Sequence, residues 1–105
     1  MDGTARIDDG ETVALGRHYR IRRLSVVPGA ELEFRLNRHR TEQYVVLAGE
    51  ARITRGDDVI QAGPNASVFV PFGVPHRVQN AGHGILSVLE VQVGAHFEED
   101  DLQNA

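Results

Sequence analysis

The sequence predicts an all-β fold, a sandwich or barrel of short antiparallel strands. Extended stretches rich in Val, Ile, Leu, Tyr and Phe recur at roughly ten-residue spacing. Gly, Pro, Asn and Asp separate them, and no stretch carries helical periodicity of useful length. A chain of 105 residues makes one domain, long enough to bury about two-thirds of its unfolded surface without staples.

Residues 1–18 read as a lead-in, with a turn at Asp8-Asp9-Gly10 and a short edge strand over Val13 to Leu15. Tyr19 to Val27 is β-rich and closes on Pro28-Gly29, a dipeptide suited to a tight turn. Leu32, Phe34 and Leu36 then alternate with Glu31, Glu33 and Arg35, the period of a strand. Tyr44 to Ala48 is apolar on both faces, which predicts a central strand. Gly49-Glu50 turns the chain into Ala51 to Thr54, and Gly56-Asp57-Asp58 turns it again into Val59 to Gln61. Ser67 to Val70, His76 to Gln79 and Ile85 to Val93 complete the set. The barrel is expected over residues 19–97, and the acidic run within 98–105 as a solvated tail.

Composition excludes several classes of function. There is no cysteine, so disulfides, thiolate metal sites and cysteine nucleophiles are ruled out. The net charge of -4 argues against a nucleic-acid partner. All 11 basic residues are arginine, which removes lysine as a Schiff-base former and leaves guanidinium groups or backbone amides to hold any anion. The N-terminus is polar and no apolar run approaches a membrane span, which predicts a soluble cytoplasmic protein with no membrane partner.

Two stretches concentrate the chemistry. Asn37-Arg38-His39-Arg40-Thr41-Glu42 places an imidazole and a carboxylate three residues apart between two extended runs. Pro71-Phe72-Gly73-Val74-Pro75-His76-Arg77-Val78-Gln79-Asn80 brings a second imidazole just after a turn. On these residues the chain resembles the cupin superfamily, and within it the type II mannose-6-phosphate isomerases, which also occur as a domain of bifunctional guanylyltransferase-isomerases. The first cupin motif is matched by Pro28-Gly29, Asn37-x-His39, Glu42 and Gly49. The second is matched by Gly63 and Pro71-x-Gly73-x-x-His76-x-x-x-Asn80. Arg40-Thr41-Glu42, Val74-Pro75-His76-Arg77, Glu90 to Gly94 and Glu99 to Leu102 resemble the isomerases in particular. The chain departs from that pattern where Asn37 stands for a histidine, and again at Gln43. The resemblance implies a double-stranded β-helix, or jelly-roll barrel.

His39, Glu42 and His76 make a two-histidine, one-carboxylate set, suited to one divalent ion such as Zn, Mn, Fe, Co or Ni with positions left open. The Asn37 carbonyl is a fourth, weaker candidate ligand. The competing reading is that the histidines are barrel residues bonded to each other or to Glu42. In an aldose-ketose isomerase a base removes the proton beside the carbonyl and a metal or donor steadies the enediolate; Glu42 is the candidate ligand or base. Arg77 is a candidate anchor for a substrate phosphate, although strict alternation puts it on the opposite face from His76. Arg35 and Arg40 are similar candidates, each weighed against a solvated role, and Arg38 points away. If Asn37 and His39 face the site, Leu32, Phe34 and Leu36 face the other way and need a cover: a second sheet, the N-terminal strand or another subunit.

His18, His83 and His96 read as surface residues, Tyr44 and Phe69 as core, and Gly29, Gly49, Gly63 and Gly73 as turn formers. The expected function is a metal-assisted sugar-phosphate isomerase acting as a homodimer on a small-molecule ligand. The alternatives are a non-catalytic small-molecule-binding or sensor cupin, and another metal-dependent cupin enzyme, an oxygenase or cyclase.

Overall fold

The structure is a computed structural model that describes residues 10–34 and 39–95. Nine strands account for its regular structure: β1 (Glu11–Leu15), β2 (Tyr19–Val26), β3 (Glu31–Phe34), β4 (Arg40–Ala48), β5 (Ala51–Arg55), β6 (Asp58–Ala62), β7 (Ser67–Val70), β8 (His76–Asn80) and β9 (Leu86–Gly94). They form a five-stranded sheet in the order β1-β2-β9-β4-β7 and a four-stranded sheet in the order β3-β8-β5-β6. Every pairing is antiparallel. The all-β expectation holds, and no helix among the described residues is long and apolar enough to cross a membrane.

Local chemistry sets the turns. Val27 accepts a hydrogen bond from the amide of Ala30 at 3.1 Å, with Pro28 and Gly29 between and Gly29 at φ 83°, the geometry of a type II turn. Arg55 pairs with Asp58, so Gly56-Asp57 is a two-residue hairpin loop with Gly56 at φ 58°. At Gly49 (φ 93°) a Cβ would stand 2.9 Å from the Ile85 carbonyl oxygen. Only glycine lets β4 leave one sheet and β5 enter the other there.

The two sheets close on one core. Leu24, Val26, Val46, Leu86 and Val88 come from one sheet, and Leu32, Ala51, Ile53, Ala62 and Val78 from the other. Each fully buried Val, Leu or Ile contributes about 1.5–3 kcal/mol relative to exposure. Leu32 packs here at 5% exposure, so its face is covered by the opposite sheet of the same chain. Of the covers expected for this face, it is the second sheet that packs on Leu32. Phe69, expected in the core, is half exposed, because Val68 and Val70 take the inward positions of β7. Leu36 and the acidic tail lie outside the described residues.

β4 begins at Arg40, four residues before the expected Tyr44, and these extra residues matter most for the site. Thr41 to Gln43 continue the ladder with Val93 to Val91 of β9. They are polar, and an apolar pattern does not mark them as strand.

Candidate functional site

The register arranges the inward side chains of the larger sheet in rows across the strands. Leu24, Val88 and Val46 form one apolar row, with Val26 and Leu86 beyond it. In the opposite direction the rows become polar: Arg22, Glu90 and Tyr44, then Arg20, Gln92 and Glu42. Val68 and Val70 of β7 end these two rows. One end of the barrel is therefore hydrocarbon and the other is a hydrogen-bonded polar layer, built from strands that change character halfway along.

The bonds follow the rows. Arg20 Nε donates to Gln92 Oε1 at 2.9 Å, and Gln92 Nε2 donates to Glu42 Oε2 at 2.6 Å. In the next row Arg22 Nε and Nη2 reach Glu90 Oε1 at 2.8 and 2.7 Å, and the Tyr44 hydroxyl donates to Glu90 Oε2 at 3.1 Å. His76, from the opposite sheet, joins the two rows. Its Nε2 lies 2.6 Å from Glu42 Oε1 and 3.0 Å from the Tyr44 hydroxyl, which is itself 3.2 Å from Glu42 Oε1. Glu42, His76 and Tyr44 are at most 5% exposed.

Proton counting fixes the character of the pair. His76 Nδ1 sits 3.1 Å from the Val74 carbonyl oxygen, which only accepts, so Nδ1 carries a hydrogen. A neutral ring would then turn its Nε2 lone pair toward a carboxylate oxygen at 2.6 Å. One more proton must lie between them, and the pair is a carboxylate and an imidazolium. Burial pulls the His76 pKa down, but the Glu42 hydrogen bond and charge, helped by the Val74 carbonyl, raise it on balance. Burial pushes the Glu42 pKa up, and hydrogen bonds from His76 and Gln92 outweigh that and lower it. Burial and two neighbouring carboxylates drive the Tyr44 hydroxyl well above its ordinary value, so it stays a neutral donor. Glu90 is raised by burial and by the charge of Glu42, against the opposing pull of Arg22.

Of the residues expected at the site, Glu42 and His76 come together. His39 is exposed at the start of β4 and does not join them, and Asn37 lies outside the described residues, as do Arg35 and Arg38. Among the described residues no group of three or more His, Asp or Glu side chains is arranged to hold a metal ion. Glu42 Oε1 and His76 Nε2 face each other at 2.6 Å, and two such side chains are fewer than the three protein ligands expected for the ion, so the described side chains alone do not fit it. Arg77 points outward from β8 and lies 3.6 Å from Glu31, with its side chain 42% exposed. This is the face that strict alternation gives it, opposite to His76.

Four residues read as bland or overlooked belong to the polar layer. Tyr44 is buried as expected, but its hydroxyl is the junction of the network. Arg40 is buried rather than solvated, at 6% exposure. Glu90 and Gln92 had been noted only as part of a resemblance; their alternation with Val91 and Val93 was the signal that they face inward. Asn80 has a structural role. Its side-chain amide donates to the carbonyls of Val26 and Gly84 at 2.7 and 2.8 Å, and its Oδ1 accepts from the Gly82 amide at 2.8 Å. His18 and His83 are exposed as expected, and His18 bonds through Nδ1 to the Ala95 carbonyl.

Comparison with known proteins agrees with this architecture. Residues 5–105 match the family described as Mannose-6-phosphate isomerase C-terminal. The xanthan biosynthesis protein XanB of Xanthomonas campestris pv. campestris is 38% identical over 92 residues, covering 88% of this chain and 20% of that protein. The mannose-1-phosphate guanylyltransferase ManC of Salmonella typhimurium is 37% identical over 92 residues, covering 88% of this chain and 19% of that protein. The chain thus spans about a fifth of the length of these curated relatives. Among solved structures, an RmlC-like cupin protein from Desulfovibrio desulfuricans superposes with a TM-score of 0.72 at 27% identity, covering 85% of this chain and 83% of the other. With its two closed antiparallel sheets and this family match, the chain belongs to the mannose-6-phosphate isomerase C-terminal family of cupins.

Proposed function

We propose that this domain is a sugar-phosphate aldose-ketose isomerase acting on mannose 6-phosphate, with Glu42 and His76 as its proton-transfer pair. The observation that carries the reading is the 2.6 Å contact between Glu42 Oε1 and His76 Nε2. Such an isomerisation needs a base for the proton beside the carbonyl and a donor for the oxygen that becomes an enediolate. A carboxylate sharing a proton with an imidazolium supplies both. Gln92 and Tyr44 orient Glu42, and the Val74 carbonyl fixes the His76 ring. Family membership supports the substrate class.

The test is conversion of mannose 6-phosphate to the ketose in deuterated water, in a chelator and then with Mn, Zn, Co, Ni or Fe added singly. The expected result is turnover with deuterium at the carbon beside the carbonyl, lost in Glu42→Gln and in His76→Asn while both variants stay folded. Turnover that survives Glu42→Gln removes this pair from the chemistry. No turnover under any condition favours a second reading, a non-catalytic domain that binds a small ligand. The near-complete burial of Glu42 and His76 is the observation on that side.

A further inference from the structure

Arg20 is the least explained side chain in the barrel. It faces inward from β2 and is 95% buried, with 5% of its surface exposed. Its Nε is used on the neutral amide of Gln92, and its Nη2 is buried with no hydrogen-bond partner among the described residues. A buried guanidinium with an unused donor is costly, and the nearest carboxylates are taken: Glu90 by Arg22 and Glu42 by His76. Arg40 adds a second buried guanidinium on β4. Opposite it in the register is Gly94, where a Cβ would come within 3.0 Å of Arg40 Cγ and 2.8 Å of the His39 carbonyl oxygen. The missing side chain lets Arg40 lie over β9, the strand that separates β4 from β2. Four inward basic groups, Arg20, Arg22, Arg40 and His76, thus share this end with two inward carboxylates among the described residues.

We propose that this end of the barrel is a binding site for a phosphate group, with Arg20 Nη2 as its buried donor and Arg40 as the second cation. A guanidinium fork matches the paired oxygens of a phosphate, and burial strengthens the charge-assisted bonds. Gln92 links Arg20 to Glu42, so a phosphate here lies one hydrogen-bonded residue away from the proton-transfer pair. As the phosphate end of that site the inference rests on the isomerase reading for its ligand, while its geometry stands independently. Burial, then repulsion from Arg22 and Arg40, lowers the Arg20 pKa, consistent with cations crowded together before an anion arrives.

The experiment is calorimetric titration and thermal unfolding with inorganic phosphate, mannose 6-phosphate and mannose, on the unaltered protein, Arg20→Met, Arg20→Lys and Arg77→Ala. Inorganic phosphate and mannose 6-phosphate should bind saturably and raise Tm, and mannose should bind more weakly than its phosphate. Arg20→Met should weaken phosphate binding about ten- to a hundredfold, the range for charged hydrogen bonds; it deletes an unsatisfied buried donor but also the Arg20 Nε bond to Gln92 Oε1, so its binding is read below its own Tm. Arg77→Ala should bind as the parent does. If Arg20→Met does not fold, Arg20→Lys decides: it keeps the charge without the fork and should still lose affinity. Absence of phosphate binding to the parent, or parent-like affinity in the folded Arg20 variant, overturns the proposal. Arg20-dependent phosphate binding without turnover would sink the isomerase reading and leave the anion site. Turnover whose KM is unchanged in Arg20→Lys would do the reverse.

Discussion

Replacing Glu42 by glutamine should change the protonation of His76 more than it changes the fold. The carboxylate accepts from His76 Nε2 and from Gln92 Nε2, each at 2.6 Å. An amide of the same shape has one acceptor and one donor. Its oxygen must face Gln92, whose other end is held by Arg20, so its NH2 faces His76 Nε2. That contact is satisfied only if Nε2 is an acceptor, which makes the ring neutral while Nδ1 keeps its hydrogen on the Val74 carbonyl. Two charge-assisted bonds become neutral ones, a loss of about 1 kcal/mol each, and the relief of burying fewer charges offsets part of it. A net loss of about 1–2 kcal/mol corresponds to a fall in Tm of about 5–15 °C for a domain of this size.

The pH dependence carries the sharper test. In the unaltered protein the His76 pKa is raised, so its contribution to stability is fully present below the unfolded value of about 6.5. It is lost as pH rises through the folded value. Glu42 is lowered, so its contribution is present above the unfolded value of about 4.3 and is lost as pH falls through the folded one. In Glu42→Gln the loss of stability on the neutral side should flatten, and the His76 pKa should drop to or below its ordinary value because burial then meets no carboxylate at 2.6 Å. Imidazole nitrogen shifts followed by NMR, with urea unfolding between about pH 5 and 8, measure both. A His76 pKa unchanged by the substitution would refute the shared proton.

Two further outcomes follow from the packing. Gly49→Ala should destabilise by more than about 1 kcal/mol, since its φ is positive and the new methyl would meet the Ile85 carbonyl oxygen at 2.9 Å; urea midpoints measure it, and a neutral result would mean the β4–β5 crossing yields easily. Arg77→Ala should change stability by no more than about 0.5 kcal/mol, because its ion-pair partner among the described residues, Glu31, is 3.6 Å away and both side chains are partly exposed. A large loss of turnover in that variant would return Arg77 to the site.

The strands are legible where one face is apolar and the turns carry Gly, Pro or Asp, and the bounds expected there fall within a residue or two of β2, β5, β6, β7 and β8. The start of β4 is not, because Arg40 and Glu42 occupy inward positions that an apolar pattern assigns to Leu or Val. The same cause hid Arg20 among the arginines of β2: alternation with Ile21 and Leu24 places it on the inner face, but its charge reads as solvent exposure. The spacing of two motifs was enough to bring Glu42 and His76 into one site, since both are inward residues on facing sheets. It was not enough for His39, because whether a residue just before a strand turns inward depends on where the ladder begins.

That difference bears on how the site works. A divalent ion at Glu42 and His76 would have to displace the proton they share and recruit ligands from outside the described residues. The buried cations Arg20, Arg22 and Arg40 would oppose its charge. An anion meets the opposite field: each carboxylate is already matched, and Arg20 retains an unused donor. In the proposed isomerase the polar layer would receive negative charge at its Arg20 end and move a proton at its His76 end. A phosphorylated sugar needs both, with its phosphate and its carbonyl carbon at opposite ends of one small molecule. The isomerase reading and the phosphate site therefore support each other through the Gln92 link, yet Arg20 and Glu42 can be altered separately, so each can fail alone.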